Sequence, residues 1–424
     1  MQALPGFRDF LPDDCAARNY IFARWREVAR RYGFNEWDGP VLEPTDLYRK
    51  KSGAEIVDQL FNFTDKGERE VSLRPELTPT LARVVAAHER AFRKPLKWFS
   101  IGQFFRYEKQ QRGRLREHYQ LNCDIIGDDS LEADAEIMAL VIDVLREFGF
   151  TEKDFVVRIS HRGAWTDFLK HQGFELTPTQ LNEFFSAIDK WDFMHLPQVD
   201  ARLAALHIPV DLAQNFMRMP EHYFDGFNAL SDNFQARGLR DYVRISPWIV
   251  RGLAYYTGFV FEVFDKAEKL RAIAGGGRYD NLIGQLSDGA AAMPALGFAM
   301  GDVVLGELIK ATPIARQKLE RAAKEQNKSD IYVVIAKEQR RPDALEQIQE
   351  LRDRGYRVDY PLTADKVAKQ FQTAENVGAR IALLYGDEWP QVKVKNLATR
   401  EESLIAGDAL LDSVAKFFNV SGSG

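Results

Sequence analysis

Arginine is the side chain whose placement this sequence must first explain. In FFRYEKQQRGRLREHYQLNCDIIG, residues 104–127, guanidinium groups recur at Arg106, Arg112, Arg114 and Arg116. A planar guanidinium can meet two phosphate oxygens at once, which a point-like ammonium cannot. In the same stretch Gln120 and Asp124 stand four apart, so on a strand both point to one face. An amide and a carboxylate side by side suit a small polar substrate. A second cation, Arg251, opens RGLAYYTG, residues 251–258, where Gly252 and Gly258 let the backbone turn or approach a ligand. Tyr255 and Tyr256 follow it. On a strand adjacent tyrosines face opposite ways, so pattern alone puts at most one of them in a cleft. Glu76 and Thr78 lie in RPELTP, just before a helix start at Pro79. A carboxylate there can hold an ammonium group; equally, Thr78 can cap the helix and Glu76 remain solvated.

The elements that carry these residues are legible. Trp98–Tyr107 and a run from Tyr119 to Gly127 read as two strands of a hairpin, with a basic tip from Lys109 to Glu117 and Gly113 at its centre. A second hairpin spans Phe61–Leu73 around Asp65-Lys66-Gly67. Ahead of it, an amphipathic helix near Asp14–Tyr32 ends at Gly33, and Val41–Pro44 forms a short strand. LEADAEIMALVIDVLREF, 131–148, is strongly periodic and predicts a helix; Phe155–Ser160 predicts a strand. Residues 161–240 turn to Pro-punctuated helical segments. Their histidines, His161, His171, His195, His207 and His222, show no metal-ligand spacing. Residues 243–265 return to strands. Gly275-Gly276-Gly277 before Arg278-Tyr279-Asp280 marks a backbone passing close to something, without the G-x-G-x-x-G order of a dinucleotide site. Residues 294–301 then lead into a helix at Asp302–Lys310.

Residues 313–328 read as a charged helical linker. Beyond Ser329 strands and helices alternate: strands at 331–335, 358–360, 381–385 and 391–396, helices at 343–355, 363–377 and 409–418. That alternation predicts a small α/β domain with helices on both faces of a mostly parallel sheet. The terminal SGSG reads as flexible.

Composition narrows the class. A chain of 424 residues holds two or three cores. Two cysteines, Cys15 and Cys123, argue against a disulfide scaffold or a cysteine-built zinc site, and point to a reducing, cytoplasmic setting. No apolar run reaches the roughly 18 residues of a membrane helix, and the N-terminal residues lack the pattern of a secretory signal. A net charge of −5 does not advertise nucleic-acid binding, although it can hide a local basic patch.

Together these motifs carry a resemblance. FRYE, RGRLRE and Q-x-x-x-D resemble motif 2 of the class II aminoacyl-tRNA synthetases in its histidyl form; RPELTP and RGLAYYTG resemble further histidyl elements. The helix–strand–Pro of residues 14–44 is similar to motif 1, and 294–310 to motif 3. The resemblance implies a catalytic core over 1–312 built on an antiparallel sheet (the α+β class), with a helical insertion at 161–240. It implies a linker at 313–328 and an anticodon-binding domain at 329–420. It also implies ATP-dependent ligation of L-histidine to tRNA-His through a histidyl-adenylate, with Mg²⁺ accompanying ATP, in a homodimer without membrane attachment. Arg106 and Arg251 then become catalytic residues at the α-phosphate. Glu108 would read the adenine amino group and Arg114 the γ-phosphate. Glu76, Thr78 and Gln120 would hold the α-amino and carboxylate groups of histidine, Asp124 and Tyr256 its imidazole, and Tyr255 and Tyr279 would line that pocket. Positioning and charge neutralisation, rather than a nucleophile, carry such chemistry.

Two positions depart from the pattern: Ala254 stands where the octet usually has Asp, and Val304 where motif 3 has the arginine that stacks on adenine. They leave an alternative, a catalytically inactive paralogue that senses histidine or tRNA as a regulatory subunit.

Overall fold

The computed structural model describes residues 3–49, 58–108, 113–191, 196–252 and 255–420. Part of the basic hairpin tip (109–112, with Arg112), His195, Ala254 and the terminal SGSG lie outside the described residues. The chain forms two compact units. One runs to Glu320 apart from Pro12–Ala16; the other takes Pro12–Ala16 and the chain from Arg321.

Strands of the larger unit are β1 Asn35–Glu36, β2 Leu42–Pro44, β3 Phe61–Thr64, β4 Glu70–Leu73, β5 Leu96–Phe105, β6 Glu117–Ile126, β7 Phe155–His161, β8 Val243–Ile245, β9 Phe259–Asp265, β10 Ala274–Arg278 and β11 Ala295–Gly301. Eight of them make one sheet in the order β1-β5-β6-β11-β10-β9-β7-β8. Its inner pairs are antiparallel, as expected, but β1 and β8 join the edges in parallel. β2, β4 and β3 form a separate small sheet.

Period-two alternation gives the large sheet two unlike faces. On β6, Leu121, Cys123 and Ile125 point back into a core shared with Phe261, Phe298 and Met300. The helix Leu131–Glu147 covers that back face. It starts at Ser130, whose hydroxyl accepts the Ala133 N–H at 3.3 Å, and it buries Ile137, Leu140, Val141, Val144 and Leu145. Its neighbour Gly149 has φ +97°, a left-handed position that ends a helix cheaply only as glycine. The front face, with His118, Gln120, Asn122 and Asp124, is left free for chemistry.

Helices run from Arg162 to Ala236. Most pack on their own core around Trp165, Phe184, Leu203 and Phe216. The exception is Gly226–Ala236, whose Phe227, Leu230 and Phe234 belong to the sheet's core.

In the smaller unit, β12 Ile331–Ile335, β13 Val358–Asp359, β14 Ile381–Tyr385, β15 Gln391–Asn396 and β16 Glu402–Ala406 form a sheet in the order β13-β12-β14-β15-β16. The expected "mostly parallel" sheet is mixed. β13, β12 and β14 run parallel, whereas β15 and β16 pair antiparallel. β16 escaped the sequence because its residues are mostly exposed and do not alternate. Helices do cover both faces. Arg341–Asp353 and Leu410–Val420 pack on one, and Val367–Asn376 on the other.

Candidate active site

A cavity of about 710 Å³ opens on the front face of the large sheet. Glu76, Thr78, Arg106, Glu108, Arg114, Gln120, Asp124, Arg251, Tyr255, Tyr256 and Tyr279 all line it. These residues come from four separated stretches of sequence. Arg116 does not line it; its guanidinium stacks on Tyr107 at 4.2 Å.

Cross-sheet register sets the floor. Asp124, Gly297, Gly277 and Val260 form one row. The next row is Asn122, Ala299, Gly275, Glu262 and Arg158. Glycines in these rows make room for functional side chains from elsewhere. A Cβ on Gly297 would collide with the Asp124 carboxylate, one on Gly277 would come within 2.9 Å of the Tyr256 ring, and one on Gly275 would collide with the Arg251 guanidinium. The sequence's expectation that the triple glycine passes close to something is met by these contacts.

At one end of the cavity lie the carboxylates. Asp124 is buried and accepts a 2.6 Å hydrogen bond from the Tyr279 hydroxyl. Burial pushes its carboxyl up to about 7, against the opposing pull of the tyrosine bond. The same burial holds the Tyr279 phenol protonated, so it donates. The Tyr255 hydroxyl donates to Glu76 Oε2 at 2.9 Å, which engages Glu76 and excludes the solvated alternative. Thr78 does not cap the following helix; Leu77 occupies the cap position and Thr78 is the first helical residue.

Tyr255 and Tyr256 overturn a further expectation. Both are buried, both line the cavity, and their rings lie 5.0 Å apart. The reason is that β8 ends at Ile245 and β9 begins at Phe259, so the tyrosines sit in a loop without strand alternation. That loop is anchored by Arg278-Tyr279-Asp280. The Thr257 hydroxyl donates to Asp280 at 3.1 Å, and Asp280 also accepts the Ala295 N–H at 3.1 Å. Arg278 is buried against Asp134, at 2.7 Å, on the back-face helix.

In the middle sits Arg251. Its backbone has φ +58°, and its guanidinium pairs with Glu262. Burial alone would lower its pKa, but the Glu262 carboxylate outweighs this and holds it above the ordinary arginine value. Arg251 is therefore a permanent cation with a fixed direction.

At the far end Arg106 donates from Nε to the Pro75 carbonyl at 3.0 Å, and Arg114 pairs with the buried Glu108. His118 completes this corner. Burial, reinforced by Arg106, Arg8 and Arg114, lowers it to about 3, so it is neutral at physiological pH. Val303 and Val304 line the same corner.

Sequence reasoning missed His118, Asn122, Arg158, Glu262 and Arg271, which also line the cavity. Three of them carried a signal. His118 and Asn122 continue the alternation of Gln120 and Asp124, and Glu262 is the one acid inside the apolar run 259–264. Arg271 lies beyond the strand and carried none.

Residues 6–305 match the Histidyl-tRNA synthetase family, and residues 330–417 match the anticodon binding domain family. The chain belongs to the histidyl-tRNA synthetase family. It is 41% identical to the Histidine--tRNA ligase of Opitutus terrae, with 99% of each chain covered. It is 38% identical to the chloroplastic/mitochondrial Histidine--tRNA ligase of Arabidopsis thaliana, over 94% of this chain and 83% of the relative. The fold agrees with the apo histidyl-tRNA synthetase of S. aureus, at TM-score 0.71 and 24% identity over 98% of this chain and 100% of the other. It also agrees with a regulatory subunit/histidyl-tRNA synthetase from Bacillus halodurans, at TM-score 0.70 and 21% identity over 88% and 96%. Among the described residues no helix is long and apolar enough to cross a membrane.

Proposed function

We infer that the protein ligates L-histidine to tRNA-His with ATP, by way of a histidyl-adenylate. One observation carries this reading beyond family membership: Arg251 is held as a fixed cation between a carboxylate- and tyrosine-lined end and an arginine-lined end of one cavity. Histidine's α-ammonium is bound by Glu76, with Thr78 and Gln120 beside it. Asp124 and Tyr256 receive the imidazole, and Tyr279 and Tyr255 hold the two carboxylates in place. The histidine carboxylate attacks the α-phosphorus and pyrophosphate leaves. Negative charge grows on α-phosphate oxygens, and Arg251 and Arg106 neutralise it without having to reorganise. Glu108 is the acceptor for the adenine amino group, and Arg114 serves the γ-phosphate. Because these two pair in the free protein, ATP must take their place with one another.

Among the described residues the carboxylates of the cavity are not arranged as a metal cage. Asp124, Glu76, Glu108 and Glu262 are each engaged by a tyrosine or an arginine. Mg²⁺ accordingly enters as the complex with ATP, bound by phosphate oxygens. The adenylate then passes its histidyl group to the terminal ribose of tRNA, and residues 329–420 are the anticodon-reading part. We place the reaction in the cytoplasm.

A homodimer fits the small sheet, whose Leu42, Phe63 and neighbouring Tyr107 are exposed apolar groups. Light scattering at assay concentration tests the dimer. The function itself is tested by charging: labelled histidine should be transferred to tRNA-His and not to an unrelated tRNA. Transfer to neither, with a folded protein, contradicts the reading.

A further inference from the structure

Asn122 stands on β6 between Gln120 and Asp124, on the face that lines the cavity. It is 5% exposed, and among the described residues its Oδ1 is buried and meets no hydrogen-bond donor. A buried acceptor without a partner carries its full desolvation cost. Kept in a cavity wall, such an atom points to a donor brought by a ligand.

Register narrows which donor that is. Asp124, Gly297 and Gly277 form one row, and the Asp124 carboxylate and the Tyr256 ring lie over its glycines. That row takes the imidazole. Asn122, Ala299 and Gly275 form the next, and residues directly opposite one another point to the same face. At the β10 end of this row the Arg251 guanidinium covers Gly275; at the β6 end stands the Asn122 amide. The Ala299 methyl group lies between them, across two strand spacings, about 10 Å. A histidine whose ring lies over the first row has its Cα over the second. Arg251 draws the carboxylate toward β10, so the ammonium turns toward β6. The segment that carries Glu76 is on that same side. The Phe105 N–H of β5 donates to the Arg74 carbonyl at 3.0 Å, and β5 is the outer neighbour of β6.

We propose that Asn122 is a substrate-binding residue: its side-chain carbonyl accepts a hydrogen bond from the α-ammonium of the bound amino acid, alongside Glu76. An amide suits the place. It offers an acceptor without adding a second carboxylate two residues from Asp124, where like charges would compete. The inference deepens the histidine-ligating reading above and rests on it.

The test is equilibrium binding to the full chain with L-histidine and two analogues. Histidinol keeps the ammonium but lacks the carboxylate; imidazolepropionate keeps the carboxylate but lacks the ammonium. Asn122→Ala should weaken histidine and histidinol each by about tenfold or more, the scale of a lost hydrogen bond to a charged group. Imidazolepropionate should stay within about twofold of its wild-type Kd, since the contact it would lose is one it never makes. The Tm should stay near wild type, because the Asn122 Oδ1 makes no hydrogen bond in the free protein. Asn122→Leu, which nearly keeps the volume, should repeat the pattern. A histidine Kd unmoved by Asn122→Ala overturns the proposal. So does an equal loss for all three ligands, which would make Asn122 a support of the imidazole pocket or of the fold. A loss in Asn122→Ala that Asn122→Leu does not share would trace to space rather than to the hydrogen bond, and overturns it too. Wild-type protein separates the two questions. No histidine binding there sinks the ligation reading and this inference with it, whereas wild-type binding that Asn122→Ala leaves intact sinks the role of Asn122 alone.

Discussion

The Arg251 guanidinium occupies the space where Gly275 would otherwise carry a side chain, and Glu262, opposite Gly275 in the adjacent strand, holds it there. A cation pinned in advance costs no reorganisation when charge develops beside it.

Gly275→Ala should therefore cost activity and not stability. The new methyl group meets only the movable end of Arg251, so the Tm should stay near wild type while kcat for exchange falls about 10²-fold. Gly276→Ala is the contrasting variant. Its Cβ would strike the Gly297 carbonyl and the Phe298 backbone, so the Tm itself should drop. Thermal melts and exchange assays on both variants check the pair.

Arg251→Ala should abolish most adenylate formation, a loss of about 2–4 kcal/mol of transition-state stabilisation, with histidine binding by calorimetry largely intact. Glu262→Gln keeps the shape but removes the countercharge, so it should lower kcat more than it alters the KM for histidine. Near-normal exchange in Arg251→Ala contradicts its assignment.

Asp124 predicts a pH effect with a definite sign. Its carboxyl titrates near 3.8 when unfolded and about 7 when folded, so between those values the folded protein holds the extra proton. Stability from this group is full below about pH 4 and falls as pH rises toward 7. Chemical denaturation at about pH 5 and about pH 7.5 should show wild type losing more stability than Asp124→Asn across that interval. Parallel losses would show that Asp124 is ionised throughout.

A chain ending at Lys328 separates the two chemistries. It should retain histidine-dependent exchange but show a KM for tRNA-His raised about tenfold or more, because anticodon contacts contribute only to the tRNA step. Exchange lost together with charging would contradict that division.

Much of this was legible in the sequence, for identifiable reasons. Gln120 and Asp124 were found because strand alternation is local, and Leu131–Glu147 because its apolar period is strong. Strand alternation alone would have put only one of Tyr255 and Tyr256 in the cleft, and it fails because the stretch 246–258 has strand-like composition and yet is held as a loop by Asp280, which lies far along the chain; the family resemblance placed both there. β16 was missed because an exposed edge strand carries no alternation. That Glu262 stands opposite Gly275 and so reaches Arg251 became visible only through register, which brings strands of different sequence position into one row. The roles of Ala254 and Arg112 fall outside the described residues.

The most direct test is ATP–pyrophosphate exchange with Mg²⁺ and each standard amino acid in turn. Exchange with histidine alone is predicted, showing adenylation and selectivity together and that Val304 is tolerated. No exchange with any amino acid, while histidine still binds by calorimetry, would contradict the account and leave a histidine-binding protein without synthetase activity.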